Sequence, residues 1–168
     1  MGAGVADWTI FEEDYWAIRD SLQQLVDGSN ARSVLLVDQT GQAVTSIGTR
    51  PDFDVLSFAS LCAADFEANR QLAQLIGEDD FTTLYHQGVR ESMYLARVDP
   101  RVILAVLFDR DTTLGLVRLR VKRATDQLLE ILHRLYRKVQ QQEADLPRAV
   151  DADYMSSAEA EIDRLFQD

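Results

Sequence analysis

Apolar positions along the chain switch between two periods. Phe11, Tyr15, Ile18, Leu22 and Leu25 recur at steps of four and three, one face of a helix, with Asp14, Arg19 and Gln23 off it. Thr9 and Glu12 form a T-x-x-E capping box at its start, and Gly28 is placed to stop it. Ser33 to Val37 is a short apolar run rich in β-formers, and Gln42 to Ile47 a weaker one. The turn residues Asp38-Gln39-Thr40-Gly41 between them predict a hairpin. A second helix opens after Pro51, with either Asp52 or Asp54 as its cap, and Gly77 ends it. Its buried stripe is Val55, Ala59, Cys62, Phe66, Ala73 and Ile76. Ser60, Ala63, Ala64, Glu67, Gln71 and Gln74 share another face, small or polar in character.

Three further strands are predicted at Phe81 to His86, Met93 to Val98 and Val102 to Phe108, with Gln87-Gly88 and Asp99-Pro100 supplying turns. After Phe108 the residues Val117 to Lys122 alternate as in a strand. Over a longer distance Leu114, Val117, Val121, Ala124, Leu128, Leu132, Leu135 and Val139 run at three- and four-residue steps, which predicts one long helix from Thr112 to Gln140. Either Thr112 or Thr113 can cap it. The order is therefore α-β-β-α-β-β-β-α. It implies an α/β (α+β) domain over residues 9–140, with a five-stranded, mostly antiparallel sheet covered by three helices. Residues 141–168 change character. From Glu143 onward there are eight acidic residues and two arginines, interrupted by Pro147, and a mostly disordered tail is expected. Ile162, Leu165 and Phe166 then form a small apolar cluster at helical spacing, the form of a short motif that folds on a partner.

Charge narrows the function. The formal net charge of −11 over 168 residues is the opposite of a nucleic-acid-binding footprint and disfavours an anionic membrane surface. No apolar run approaches the roughly 20 residues of a membrane span, and no basic region followed by an apolar core announces a signal peptide. One cysteine, Cys62, cannot form a disulfide within the chain and fits a reducing cytoplasm. The basic cluster Arg118, Arg120, Lys122 and Arg123 departs locally from the acidic whole. It reads as a solvated helix face, or as a contact for an acidic partner or the chain's own tail.

Candidate chemistry adds little. His86 and His133 stand alone, without the clustered ligands a metal needs, and His86 serves a turn. Cys62 lies on a buried stripe beside Asp65 and Glu67, which do not activate a thiol. The glycines are dispersed, so no phosphate loop forms and no cofactor is expected. Asp79-Asp80 and Asp109-Arg110-Asp111 fall at element ends, where capping and turns account for them. The pattern suits a protein-binding regulator without an active site of its own.

The order of elements and several short stretches resemble the roadblock/dynein light chain family and, more narrowly, its bacterial MglB branch. The stretches are Leu36-Val37-Asp38 with Gly41-Gln42, Leu72 to Glu78 with Phe81, His86-Gln87-Gly88, Ser92-Met93-Tyr94 and Val106 to Asp109. Thr113-Leu114-Gly115-Leu116-Val117-Arg118-Leu119-Arg120 and the terminal Ile162 to Phe166 complete the set. The resemblance implies a homodimer with sheets joined edge to edge and second helices paired. It implies that this platform binds a small Ras-like GTPase of the MglA type and stimulates GTP hydrolysis by repositioning the GTPase's own groups. Cell polarity and gliding motility are the implied setting, in the cytoplasm at a cell pole. The partner-binding residues are then Ala63, Ala64, Glu67, Gln71 and Gln74, with Ile162, Leu165 and Phe166 contacting the GTPase elsewhere. MglB-like proteins carry small residues in mid-helix; here Glu67 and Gln71 are large. A non-catalytic adaptor for polarity or motility proteins is the alternative.

Overall fold

The computed structural model describes residues 11–145. Its elements are α1 (Glu12–Ser29), β1 (Ser33–Asp38), β2 (Ala43–Gly48), α2 (Val55–Leu75), β3 (Thr83–Gln87), β4 (Ser92–Asp99), β5 (Val102–Phe108) and α3 (Leu114–Asp145). The expected order is borne out. The strands form one sheet, β2-β1-β5-β4-β3, and every pairing in it is antiparallel. By its contacts the chain divides into Met1–Leu135 and Tyr136–Asp168, and α3 runs on into the second unit. α3 continues five residues past its expected end at Gln140, so residues 141–145 of the expected disordered tail are helical; the rest of that tail, with Ile162, Leu165 and Phe166, lies outside the described residues.

The central strands are apolar on both faces because helices cover both. Leu35, Ala105 and Leu95 stand opposite one another in register and, with Val37, Ile103 and Leu107, pack against Ala59, Cys62 and Phe66 of α2. Neighbouring positions Val34, Leu36, Leu104, Val106, Tyr94 and Ala96 point the other way and are buried too. On that side α1 buries Ile18, Leu22 and Leu25, and α3 buries Val117, Val121, Ala124, Leu128, Leu132 and Leu135. This explains why β1 and β5 read as unbroken apolar runs.

Helix ends depart from the sequence expectations for local reasons. Thr9 lies outside the described residues, and α1 begins at Glu12 behind Phe11, whose carbonyl accepts from the amides of Asp14 and Tyr15 at 3.0 Å. Gly28 does not stop α1. Asn30 takes the left-handed conformation after it, with φ 56°, as Asn tolerates at a helix end. Gly28 instead permits close approach, since a Cβ there would lie 3.1 Å from Nε of Arg120 on α3. Asp14, expected off the apolar face, is buried, with Arg134 Nε at 3.8 Å.

Of the two candidate caps for α2, Asp54 serves: its carboxylate accepts from the Ser57 amide at 3.1 Å and from the Ser57 hydroxyl. For α3 it is Thr113, whose Oγ1 accepts from the Leu116 amide at 3.2 Å. Thr112 donates its hydroxyl hydrogen to the Ser29 carbonyl instead, tying the start of α3 to the end of α1.

Candidate functional site

α2 lies along one face of the sheet, and two side-chain contacts fix which flank faces which edge. Ser60 Oγ donates to the Gly41 carbonyl, 3.3 Å away in the β1–β2 turn. Asp65 Oδ2 lies 2.7 Å from Nε2 of His86 on the edge strand β3. The expected turn role of His86 is therefore corrected: it sits within β3 and joins that edge to α2. Residues three or four apart share a helix face. The Ser60 flank therefore continues through Ala63, Glu67, Gln71 and Gln74, and the Asp65 flank through Leu61, Ala68 and Leu72.

The two flanks differ in chemistry. On the Ser60 flank Ala63 is half-buried, while Glu67, Gln71 and Gln74 are exposed; Ala64 lies on the outer crest. Arg70 Nε donates to Glu67 Oε2 at 2.9 Å and Arg70 Nη2 to Oε1 at 2.6 Å; the Gln71 amide adds a bond at 3.1 Å. These bonds hold the Glu67 carboxyl down to about 2, the Arg70 bond contributing most. Glu67, Arg70 and Gln71 thus form one clamped charged cluster, where the resemblance leads one to expect small residues. Beside it lies a recess of about 370 Å³, lined among others by Phe66, Arg70, Arg97, Asp99 and Ile103. Arg97 is not free in it: its guanidinium bonds Asp80 at 2.6 Å and stands 5.3 Å over the Phe66 ring.

On the Asp65 flank and the crest, sequence reasoning missed an apolar stripe. Leu61 is 69 % exposed, Leu72 54 % and Leu75 82 %, with the small Ala64 and Ala68 between them. Ile76, expected in the core, is 71 % exposed because α2 ends at Leu75 and the chain turns away through Gly77 at φ 86°. The signal was present as a second 4-3-4-4-3 series running Ser57, Leu61, Ala64, Ala68, Leu72, Leu75. The stronger buried stripe masked it. A helix apolar on two sides wants a partner on both. The adjacent edge strand β3 is exposed along most of its length and presents unpaired backbone groups.

Among the described residues no group of three or more His, Cys, Asp or Glu could hold a metal ion. Burial, with Asp65 adding, pushes the Cys62 thiol up to about 12, so it stays protonated at neutral pH. No described helix is long and apolar enough to cross a membrane.

A five-stranded antiparallel sheet covered by three helices in the order α-β-β-α-β-β-β-α is the arrangement the roadblock resemblance implies. The Roadblock/LC7 domain model matches residues 18–108, from the middle of α1 to the end of β5. The chain belongs to the Roadblock/LC7 family. Among solved structures it is similar to Myxococcus xanthus MglB, with 42 % identity, a TM-score of 0.71, and coverage of 76 % of this chain and 96 % of that one. It is also similar to the gliding protein MglB from Thermus thermophilus, at 28 % identity, TM-score 0.70 and coverage of 74 % and 95 %. A third structure, described as MglB with a tetrameric arrangement, matches at 27 % identity, TM-score 0.72 and coverage of 77 % and 97 %. No match is found among the curated proteins. Within the Roadblock/LC7 family the chain is thus MglB-like over about three quarters of its length.

Proposed function

We propose that this chain is a homodimeric regulator of gliding motility and cell polarity that binds a small Ras-like GTPase of the MglA type and stimulates its GTP hydrolysis. The observation that carries the reading is the 42 % identity with Myxococcus xanthus MglB over nearly all of that chain. The two flanks of α2 support it. The exposed Leu61, Leu72 and Leu75 and the neighbouring β3 edge suit a second copy; the polar flank of Ala63, Glu67, Gln71 and Gln74, with Ala64 on the crest, suits the GTPase. Ile162, Leu165 and Phe166 add a second contact with the GTPase. The protein acts in the cytoplasm at a cell pole. The chemistry belongs to the GTPase, whose own groups are repositioned, because GTP hydrolysis depends mostly on positioning and charge stabilisation. GTP turnover by the cognate GTPase, measured with and without this protein, tests the proposal. Acceleration that saturates with protein concentration is expected; unchanged turnover at saturation overturns it.

The clamped Glu67–Arg70–Gln71 cluster, standing where the family carries small residues, favours one second reading: a non-catalytic adaptor for polarity or motility proteins. It predicts capture of the GTPase or its associates with turnover unchanged.

A further inference from the structure

The opposite face of the sheet carries a groove that the GTPase reading does not use. It runs between α3 and the β3–β4 edge and encloses about 530 Å³. Its walls combine two chemistries. Tyr94, Ala96 and Val121 make an apolar floor, and Leu119 stands over it 65 % exposed. Arg118 and Lys122, one helical turn apart, form the rim of α3. Among the described residues neither makes an ion pair within 4.0 Å, although the chain has 28 acidic residues to 17 basic ones. Arg97 also borders the groove, but its guanidinium bonds Asp80 and lies over Phe66, on the α2 side of the sheet. Asp126 is the groove's one carboxylate. An exposed leucine between two unpaired cations calls for an occupant that is both apolar and acidic.

We propose that this groove receives the acidic C-terminal segment Glu159 to Phe166 of a second copy of this chain. The segment has the complementary chemistry: Ile162, Leu165 and Phe166 recur at helical spacing, and Glu159, Glu161 and Asp163 surround them. Apolar side chains enter beside Leu119 while carboxylates meet Arg118 and Lys122, which is helix-in-groove recognition with a charged rim. Polyanions such as nucleic acid or an anionic membrane fit worse. They bring a long row of phosphates to a body of formal charge −11, where the groove offers two cations, whereas the segment brings three carboxylates together with three apolar side chains. The same apolar residues cannot serve the groove and a GTPase at once, so a GTPase that uses them must empty the groove. This point alone rests on the proposed function.

The test needs no GTPase, so its failure is separable from failure of that function. A synthetic peptide of residues 156–168 is titrated into full-length protein carrying Ile162→Asp, Leu165→Asp and Phe166→Asp, whose own segment is thereby silenced. Binding is read by peptide fluorescence anisotropy and by backbone amide shifts. Saturable binding with shifts at β3, β4 and the first turns of α3 is expected. Adding Arg118→Glu and Lys122→Glu weakens it about tenfold, two rim charge pairs being lost and reversed. A peptide with Glu159→Lys, Glu161→Lys and Asp163→Lys recovers binding to that charge-reversed protein, a rescue that misfolding could not produce. No binding, equal binding to the charge-reversed protein, or shifts confined to α2 would overturn the proposal.

Discussion

At the scale of single residues, Glu67 is defined by the bonds it makes. By the resemblance it is a large, charged residue where small ones are expected. In the structure its carboxylate is occupied three times over, by two Arg70 nitrogens and the Gln71 amide. Both partners lie within one turn and cost little to arrange. The clamp lowers the Glu67 carboxyl from 4.5 to about 2. A depressed carboxylate contributes stability above its unfolded value and loses it as pH falls through its folded value. The Arg70 contact should therefore persist from neutral pH down to near pH 2. Solvent exposure keeps its contribution to folding small, so the measurement is local: the Glu67 carboxyl carbon followed by NMR against pH. A midpoint near 2 is expected, moving back toward 4.5 in Arg70→Ala. A midpoint unchanged by Arg70→Ala would show that the clamp does not hold in solution.

At the scale of elements, α2 is placed by its ends and by one turn. The β1–β2 turn winds around Asp38, whose Oδ1 accepts from the Thr40 amide at 2.8 Å and the Gln42 amide at 3.0 Å. Gly41 follows at φ 86°, and a Cβ on it would stand 2.7 Å from the Ser60 Cα. Gly77 has the same φ but open space around it. Gly77→Ala should cost only the left-handed penalty, about 1 kcal/mol. Gly41→Ala should cost about 2–3 kcal/mol, because the backbone of α2 must also shift. Urea unfolding of the two variants separates strain from contact; equal losses would mean that α2 does not rest on this turn. The elements themselves were legible because periodicity reports burial. Val102–Phe108 matches its apolar run residue for residue, and the 3-4 series from Leu114 marks α3. Three features were not legible, each for a different physical reason. Asn30 and Gly28 both suit the left-handed position that ends a helix, and the local pattern does not choose between two such neighbours. Asp14 is buried by a tertiary approach that no local pattern encodes. The exposed leucines of α2 stay unassigned in the sequence, because a helix whose one apolar stripe already accounts for its packing gives no local reason to expect a second.

At the scale of the whole molecule, charge and apolar surface oppose each other. Each copy carries a formal charge of −11, so two copies repel at long range. The α2 stripe and the β3 edge must outweigh that repulsion if the protein pairs as proposed. Leu61→Asp with Leu72→Asp places two further negative charges on positions already exposed in the single copy, so the fold should survive, with an unchanged circular dichroism spectrum. The dimer should not: native mass measurement at micromolar concentration is expected to give the monomer. A dimer that persists would remove the α2 stripe from the interface. Salt adds a second, independent discriminator. Screening shortens the reach of like-charge repulsion to about 8 Å at physiological ionic strength, so dimerisation through apolar α2 surface should tighten as salt rises. Docking of an acidic segment against Arg118 and Lys122 depends on attraction and should weaken over the same range. Opposite salt trends for the two surfaces would identify them as separate; parallel trends would mean that one of the two has been assigned the wrong partner.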